Sequence, residues 1–536
     1  MSTKTALISV SDKRGTLEFA QGLTQLGWRI LSTGGTLKHL QDNGVPAVQV
    51  SEHTGSPEIL DGRVKTLHPH IHGGILAMRG QPEHVKQLAE QKIDPIDIVA
   101  VNLYPFRETA AKPGVALEEV IENIDIGGPS MLRSSAKNHN DVTVICDPVD
   151  YETVLSELKS SGATTLETRR RLAVKAFRHT ADYDSAIDTY LSKAMFEEPV
   201  LRLSFQPGKA LRYGENDHQK ATFYPEYPGV EANLGSCRQL HGKELSYNNL
   251  VDADAALEAV RDLHEVPAVA IIKHTNPCGY ATGKTLAQAF ESAWQADPVS
   301  AFGSVIAVSR KLDMATAELL KGRFVEAVVA PGFEPDALDF LQKKSKDIRL
   351  LDLGTLIAPQ PRKVYKHILG GMLEQDRDVE LWRKWETATT LSFPNEVRPL
   401  AGFTWRACKH VKSNAIVMGY EYEAGCYTLV GMGPGQPNRI DSNLKLCQPR
   451  ARENLARIAE SKGFADVEAF VREAMGRCVM ASDAFFPFDD NVRAAHEGGI
   501  RYIVQPGGSL RDAEVVATAN ELGIAMVFTG TRHFRH

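Results

Sequence analysis

Short apolar runs, each closed by small polar residues and followed by an amphipathic stretch, recur along most of the chain. Residues 5–10, Thr-Ala-Leu-Ile-Ser-Val, predict a fully buried strand, and helical spacing of apolar positions follows through about Leu26. A second strand, Arg29-Ile30-Leu31, ends in Ser32-Thr33-Gly34-Gly35-Thr36 before another helix. Strands are predicted again at 96–101 and 142–145, and periodicity over 165–195 predicts a long helix leaving this first domain. Strand, short loop and helix at such close spacing mean a parallel sheet with helices on its faces. After Glu197-Glu198-Pro199 the texture changes to the polar, turn-like 211–219. The strand and helix pattern then resumes, with an alanine-rich helix from Asp252 that places Asn249 near its N-cap. Strands follow at 266–272, 304–308, 325–330, 414–418 and 428–432, a helix at 285–295, and a helix–strand alternation runs to the C-terminus. The expected fold class is α/β with domains 1–198 and 199–536, and no internal repeat is visible in the residues.

Composition narrows the function classes. At 536 residues the chain is too long for one compact domain, and 43% hydrophobic residues supply a large core. Sixty-seven acids against 61 bases, a net charge of −6, argue against a nucleic-acid-coating protein but leave room for local basic pockets. Seven singly placed cysteines suggest no disulfide framework and a reducing compartment. Met1-Ser2-Thr3-Lys4-Thr5 is too brief for a signal peptide, and no run of about 18 apolar residues exists for a membrane helix. A soluble cytoplasmic protein without nucleic-acid or membrane partners is expected.

Candidate chemistry gathers at strand ends. The loops Ser11-Asp12-Lys13 and Ser32–Thr36 combine hydroxyls, glycines and helix starts, which makes an anion site with phosphate the first candidate. Arg63 and Lys65 lie in a turn-rich segment just before His68-Pro69-His70-Ile71-His72. That His-x-His-x-His spacing on a strand would suggest a metal, but Pro69 and the following diglycine oppose it. Asn102 and Tyr104 close the 96–101 strand, and Gly127-Gly128-Pro129 opens a helix carrying Arg133 and Lys137. In the second half, Lys273-His274 ends the apolar 266–272 run, and turn-forming Thr-Asn-Pro-Cys-Gly follows. A cation beside an imidazole suits a reaction in which a weak nucleophile loses a proton while negative charge builds nearby. A surface lysine next to a core histidine is the plain alternative. Phe485, Phe486 and Phe488 sit in a loop beside acids, where a flat ring could stack, although such clusters also serve as core. Pro277-Cys278 is half of a zinc-deaminase signature, but no His-x-Glu occurs and no second cysteine follows, so that reading is rejected.

The motifs taken in order resemble a known family. Ser-Val-Ser-Asp-Lys, Ser-Thr-Gly-Gly-Thr, Arg-Val-Lys-Thr-Leu-His-Pro, Asn-Leu-Tyr-Pro-Phe, Ile-Asp-Ile-Gly-Gly and Ala-Lys-Asn-His carry the likeness in the first half. Leu-Arg-Tyr-Gly-x-Asn, Lys-His-Thr-Asn-Pro-Cys-Gly, Lys-Ser-Asn-Ala, Ser-Asp-Ala-Phe-Phe-Pro-Phe and the Arg-His-Phe-Arg-His terminus carry it in the second. Together they resemble the bifunctional AICAR transformylase/IMP cyclohydrolase family of late purine synthesis. The resemblance implies a methylglyoxal-synthase-like N-terminal domain and two cytidine-deaminase-like C-terminal subdomains. It also implies a homodimer with transformylase sites at its interface. The implied reactions are formyl transfer from the cosubstrate 10-formyltetrahydrofolate to AICAR, then dehydrative closure of the formylated product, FAICAR, to IMP. No catalytic metal is implied, and binding of a structural monovalent cation stays open.

Site residues follow from the same resemblance. For transfer, His274 handles the proton and Lys273 stabilises charge. Arg212, Tyr213, Asn249, His274, Gly303, Glu326, Asn414, Arg439, Phe485 and Arg532 match AICAR contacts, and Ile440, Asp490, Ser509 and Leu510 match the folate lining. For cyclisation, Ser11, Asp12, Lys13, Thr33, Gly34, Gly35 and Thr36 match phosphate contacts. Arg63, Val64, Lys65, Thr66, Val101, Asn102, Asp125 and Ile126 match the rest of the nucleotide site. Lys137 matches the proton-transfer residue, with Lys65, Tyr104 and Asp125 as its catalytic neighbours. Residues 419–427 and 441–478 fit the motifs less closely and are expected to be variable surface. A rival from another class is a nucleotide-sensing regulator whose first domain binds a phosphorylated effector without turnover.

Overall fold

The structure is a computed structural model describing residues 3–60, 62–227, 229 and 231–536. Met1 and Ser2, the first residues of the start read above as lacking a signal peptide, lie outside the described residues. The chain divides into two units, Met1–Ser204 and Phe205–His536.

In the first unit β1 (Thr5–Val10), β2 (Arg29–Ser32), β3 (Ala47–Gln49), β4 (Ile98–Asn102) and β5 (Thr143–Ile145) form an all-parallel sheet. Its order is β3-β2-β1-β4-β5. Ala6-Leu7-Ile8 and Val99-Ala100 are fully buried, as expected of parallel strands covered on both faces. The order reverses at β1, so the loops after β1 and β4 part and open a crevice at the carboxyl edge. Two expectations change here. The helix Leu166–Phe196 does not leave the unit: Leu172, Ala173, Ala176 and Tyr183 are part of its core. The His68–His72 segment is no strand but a helix start, with His68 as N-cap, Pro69 in the first turn and the helix running Pro69–Leu76. Gly74 lies inside that helix because a Cβ there would come within 2.5 Å of the Asp94 carbonyl.

The second unit opens with a two-stranded ribbon, β6 (Lys209–Ala210) and β7 (Thr222–Phe223). Then come β8 (Arg238–His241), the helix Tyr247–Arg261, the hairpin β9 (Ala268–Lys273) and β10 (Asn276–Thr282), and β11 (Ser304–Val308), β12 (Val325–Ala330) and β13 (Arg349–Asp352). A second ribbon, β14 (Lys363–Ile368) and β15 (Gly371–Asp376), follows. Next are β16 (Glu386–Thr387), the helix Arg398–Lys409, the hairpin β17 (Ile416–Glu423) and β18 (Cys426–Gly433), and β19 (Val479–Ser482), β20 (Tyr502–Gln505) and β21 (Ala525–Phe528). All but the ribbons join one sheet of order β16-β21-β20-β19-β17-β18-β10-β9-β11-β12-β13-β8.

That order reads alike from both ends: edge strand, three parallel strands, then a hairpin, with the hairpins meeting at β10 and β18. The unit is therefore an internal duplication, contrary to the reading of no repeat. The likeness lies in topology and burial rather than in residue identity. Alternation along the hairpins separates the cores. Ala268, Ala270, Ile272 and Val417 face one buried cluster, Val269 and Ile271 a second, Ile416 and Met418 a third.

The two segments expected as variable surface keep exposed stretches, 423–425 and 461–466 among them, but each also contributes side chains to the core. Tyr420 and Cys426 are buried in the second hairpin; Cys447, Ala451, Leu455, Met475 and Cys478 are buried beneath it. Their helices are amphipathic with polar outer faces, which masks the buried stripe in composition.

Candidate active sites

The crevice of the first unit encloses about 590 Å³. Its floor is the carboxyl edge of β1, β2 and β4. Asn102 at the end of β4 organises the loop after β1: its Oδ1 accepts from the amides of Ser11 (2.6 Å) and Asp12 (2.9 Å), and its Nδ2 donates to the Asp12 carbonyl (2.8 Å). The helix Gly34–Asp42 begins at Gly34-Gly35, with Thr33 as an extended N-cap and Gly34 at φ 47°. A Cβ on Gly34 would lie 3.7 Å from the Lys65 ammonium, and one on Gly35 would lie 4.0 Å from that of Lys13. Two cations thus flank a helix N-terminus whose first amides lack intrahelical partners, the arrangement for a phosphate.

On the opposite wall the helix Gly127–Lys137 starts under Asp125, whose Oδ1 accepts from the Gly128 amide at 2.7 Å. A Cβ on Gly128 would clash with that carboxylate and with Leu103, so only glycine permits the approach. Burial pushes the Asp125 carboxyl above its ordinary pKa, with the amides of Gly128 and Tyr104 opposing. Tyr183, which sequence reasoning did not single out, accepts from the Asp125 amide (2.8 Å) and donates to the Asn123 carbonyl (3.2 Å).

Most expected cyclohydrolase residues line this crevice: Ser11, Lys13, Thr33 to Thr36, Arg63, Lys65, Thr66, Val101, Asn102, Tyr104, Asp125 and Ile126. Arg63 is ion-paired with Glu122, and Lys65 lies 3.4 Å from Glu58. Asp12 is adjacent, held through its backbone, and Val64 makes a backbone bridge with Ile59. Lys137 is the exception. It is exposed at the last turn of its helix, six residues and about 9 Å along the axis beyond Met131, the last lining residue of that helix. The histidines 68 and 72 are spent on structure, His68 on the His70 amide and on Ser56, His72 on Ser134. No cluster of metal-ligating side chains is found among the described residues.

In the second unit the expected transfer residues converge where the two hairpins meet. Lys273 pairs with Asn276, so His274 and Thr275 alone form the turn between antiparallel strands. The expected loop is thus a two-residue hairpin tip, and Asn276 onward is strand rather than turn. Both tip residues are left-handed, at φ 51° and 64°, which is type I′ geometry. The His274 imidazole is exposed at that tip. The Lys273 ammonium donates to the carbonyls of Phe302 and Gly303, each at 3.0 Å. Gly303, at φ 68°, leaves room for it, since a Cβ there would come within 3.2 Å of Nζ.

A chain of hydrogen bonds ties this tip to the other half. Asn276 donates to the His274 carbonyl (3.2 Å) and accepts from the Lys412 amide (3.2 Å). Ser413 donates to Asp483 at 2.6 Å, Arg439 pairs with Asp483 at 2.8 Å, and Arg439 donates to Asn414 at 2.9 Å. Asp483, fully buried and not singled out from the sequence, is the hub; its carbonyl also accepts from the amide of His533, beside Arg532.

Asn249 is not at the N-cap of a helix from Asp252. The helix begins at Tyr247, Ser246 caps it, and Asn249 completes a capping box from its third position. Asn248 donates to the Glu215 carbonyl at 3.0 Å, which brings the Arg212-Tyr213 loop to the same helix end. Glu326 is engaged by buried Arg349 at 2.7 Å, so its carboxylate is already committed. Phe485 and Phe488 are exposed whereas Phe486 is core. Arg511 lies 4.8 Å over the Phe488 ring, which brings the Ser509-Leu510 loop alongside. Leu510 is fully exposed; Asp490 opens the helix Asp490–Glu497, and Ile440 lies in the turn Arg439–Asp441.

Comparison with known proteins bears on both sites. A family model described as AICARFT/IMPCHase bienzyme matches residues 135–447, and one described as MGS-like domain matches residues 15–130. The chain is 49% identical over 540 residues to the bifunctional purine biosynthesis protein PurH of Bacillus subtilis (strain 168), covering 100% of both chains. It is 50% identical over 539 residues to the protein of the same name from Halalkalibacterium halodurans, covering 99% of each. Among solved structures, a crystal structure of ForH is 38% identical with a TM-score of 0.34, covering 36% of this chain and 98% of that one.

Proposed function

The chain belongs to the AICARFT/IMPCHase bienzyme family, and from that premise we propose how its two units divide the work. It is a bifunctional enzyme of the last two steps of IMP synthesis, a formyltransferase and an IMP cyclohydrolase with a formyl-folate cosubstrate. The first unit, MGS-like by its family match, closes the ring. The second transfers the formyl group from 10-formyltetrahydrofolate to AICAR, and its duplicated halves correspond to two cytidine-deaminase-like subdomains. The observation that carries the reading is the end-to-end identity with bifunctional relatives, where a regulator without turnover would have to match a different kind of protein.

The AICAR amine is conjugated with an electron-poor ring and attacks poorly. His274, exposed at the tip, would take its proton, and Lys273 would stabilise oxygen charge in the tetrahedral intermediate. Each contributes about 10²–10⁴-fold. Arg212, Tyr213, Asn249, Asn414, Arg439, Phe485 and Arg532 would hold AICAR around the tip. Ile440, Asp490, Ser509 and Leu510 would hold the folate on the rim. Ring closure is intramolecular: the carboxamide nitrogen attacks the formyl carbon and water leaves, so holding that geometry is the main task. Lys13, Lys65 and the Gly34-Gly35 amides would anchor the phosphate, with Asp125, Tyr104 and Lys65 beside the reacting groups.

Lys137 lies off the crevice of its own chain, so its proton-transfer role requires a second copy to supply it. That supports a homodimer, as does the β14–β15 ribbon, whose strands pair only with each other and which exposes Tyr365, Ile368, Leu373 and, fully, Leu369 at its turn. No described helix is long and apolar enough to cross a membrane, and a cytosolic location is proposed. The test supplies AICAR and 10-formyltetrahydrofolate and follows tetrahydrofolate and IMP separately. Both products must form, and absence of deformylated folate from dimeric protein would refute the transfer site.

A further inference from the structure

We propose that Asp252 is a positioning residue for formyl transfer: its carboxylate holds the left-handed His274-Thr275 turn that presents the imidazole beside Lys273. The inference rests on the assignment of His274 to transfer and names what keeps it in place. A type I′ tip favours Asn-Gly because both central residues need positive φ. Here the tip is His-Thr, and a β-branched threonine at φ 64° is unfavourable without outside support. That support comes from Asp252, whose Oδ1 accepts from the Thr275 amide at 2.8 Å. The His274 amide also bears on the same carboxylate. Consecutive tip amides turned toward one anion form a small nest. On the other side, the His274 carbonyl is occupied by the Thr275 hydroxyl (2.7 Å) and the Asn276 amide group (3.2 Å).

The platform under Asp252 is itself fixed. The helix Tyr247–Arg261 is capped by Ser246 and Asn249 at its start. At its end Asp262 pairs with Lys409 (3.0 Å) and His410 (2.8 Å). One helix therefore sets Asn249 for the substrate and Asp252 for the turn.

The experiment measures transfer and ring closure separately for Asp252→Asn, Thr275→Gly, the double variant, and His274→Ala as reference. Asparagine keeps the shape but loses the charge that draws both amides. Asp252→Asn should lower transfer kcat on the order of 10- to 100-fold by misplacing the base. The KM for AICAR should stay within about twofold and ring closure should be unchanged. Thr275→Gly added to Asp252→Asn should restore most of the lost kcat, because glycine adopts the left-handed conformation unaided. Wild-type kcat in Asp252→Asn, a loss confined to KM, or a double variant no better than the single one would overturn the proposal. Should Asp252→Asn not accumulate folded, the double variant must fold and keep kcat within about tenfold of wild type, or the proposal fails. Transfer surviving in His274→Ala would instead sink the assignment of His274.

Discussion

Asp125 meets the Gly128 amide at 2.7 Å in a half-buried corner of the first crevice, and burial raises its carboxyl pKa. If ring closure uses Asp125 beside the reacting groups in its ionised form, activity falls as pH drops through the raised value. The acid limb of ring closure should therefore lie above the ordinary carboxylate range near ~4. Asp125→Asn should remove that limb and lower kcat about 10²–10⁴-fold, read from pH–rate profiles with supplied FAICAR. In the second unit His274→Ala should lower formyl transfer by at least ~10²-fold while ring closure of supplied FAICAR continues. Loss of both activities from a folded protein would contradict two separate sites. Histidines make the opposite point: His68, His70 and His72 share a suggestive spacing, yet a helix start directs His68 and His72 to Ser56 and Ser134.

Among elements, the helix Tyr247–Arg261 has the most consequences. Its last turn depends on Asp262, where burial alone would raise the carboxyl. The His410 hydrogen bond and the Lys409 ammonium outweigh burial and hold it well below the usual range, while burial pushes His410 itself below its ordinary pKa and leaves it a neutral donor at pH 7. The Asp262 side chain is 5% exposed, and removing one partner of such a buried pair costs about 3–5 kcal/mol. Asp262→Ala should show that loss in urea unfolding at pH 7. Because the folded-state pKa is depressed, the stabilisation is present above the unfolded value near ~4 and is lost as pH falls below it. The gap between wild type and variant should then close on acidification, and a gap independent of pH would remove the ion pair from the account. The starts of elements were legible from capping residues only in part. Asn249 marks the first turn, but the true cap is Ser246, because the helix extends to Tyr247 once its first turn packs.

At the scale of the whole molecule, the two candidate sites sit in two units, and Lys137, the lysine expected to transfer the proton, lies away from the crevice of its own chain. If a second copy supplies Lys137, mixing Lys65→Ala with Lys137→Ala should regenerate one intact crevice in each mixed dimer. Random exchange makes half the dimers mixed with one working site of two, so ring-closure activity should recover to about one quarter of wild type. No recovery after verified subunit exchange would place Lys137 outside the reaction. The unpartnered β14–β15 ribbon predicts that Leu369→Asp weakens self-association, measured by sedimentation, while leaving each unit folded.

Residues alone determined many of the strands and helices, because periodicity and strand-end glycines are local properties of the chain. They also carried the ordered motifs, from Ser11-Asp12-Lys13 to Arg532, on which the family resemblance rests. Only the tertiary structure decided the hairpin at His274-Thr275, the duplicated halves, the buried stripe within 441–478 and the displacement of Lys137. Each depends on pairing and packing between residues far apart in sequence. Asp252 and Asp483 belong to that second class: an aspartate in a helix or after a strand looks ordinary until folding brings a strained turn or an arginine against it.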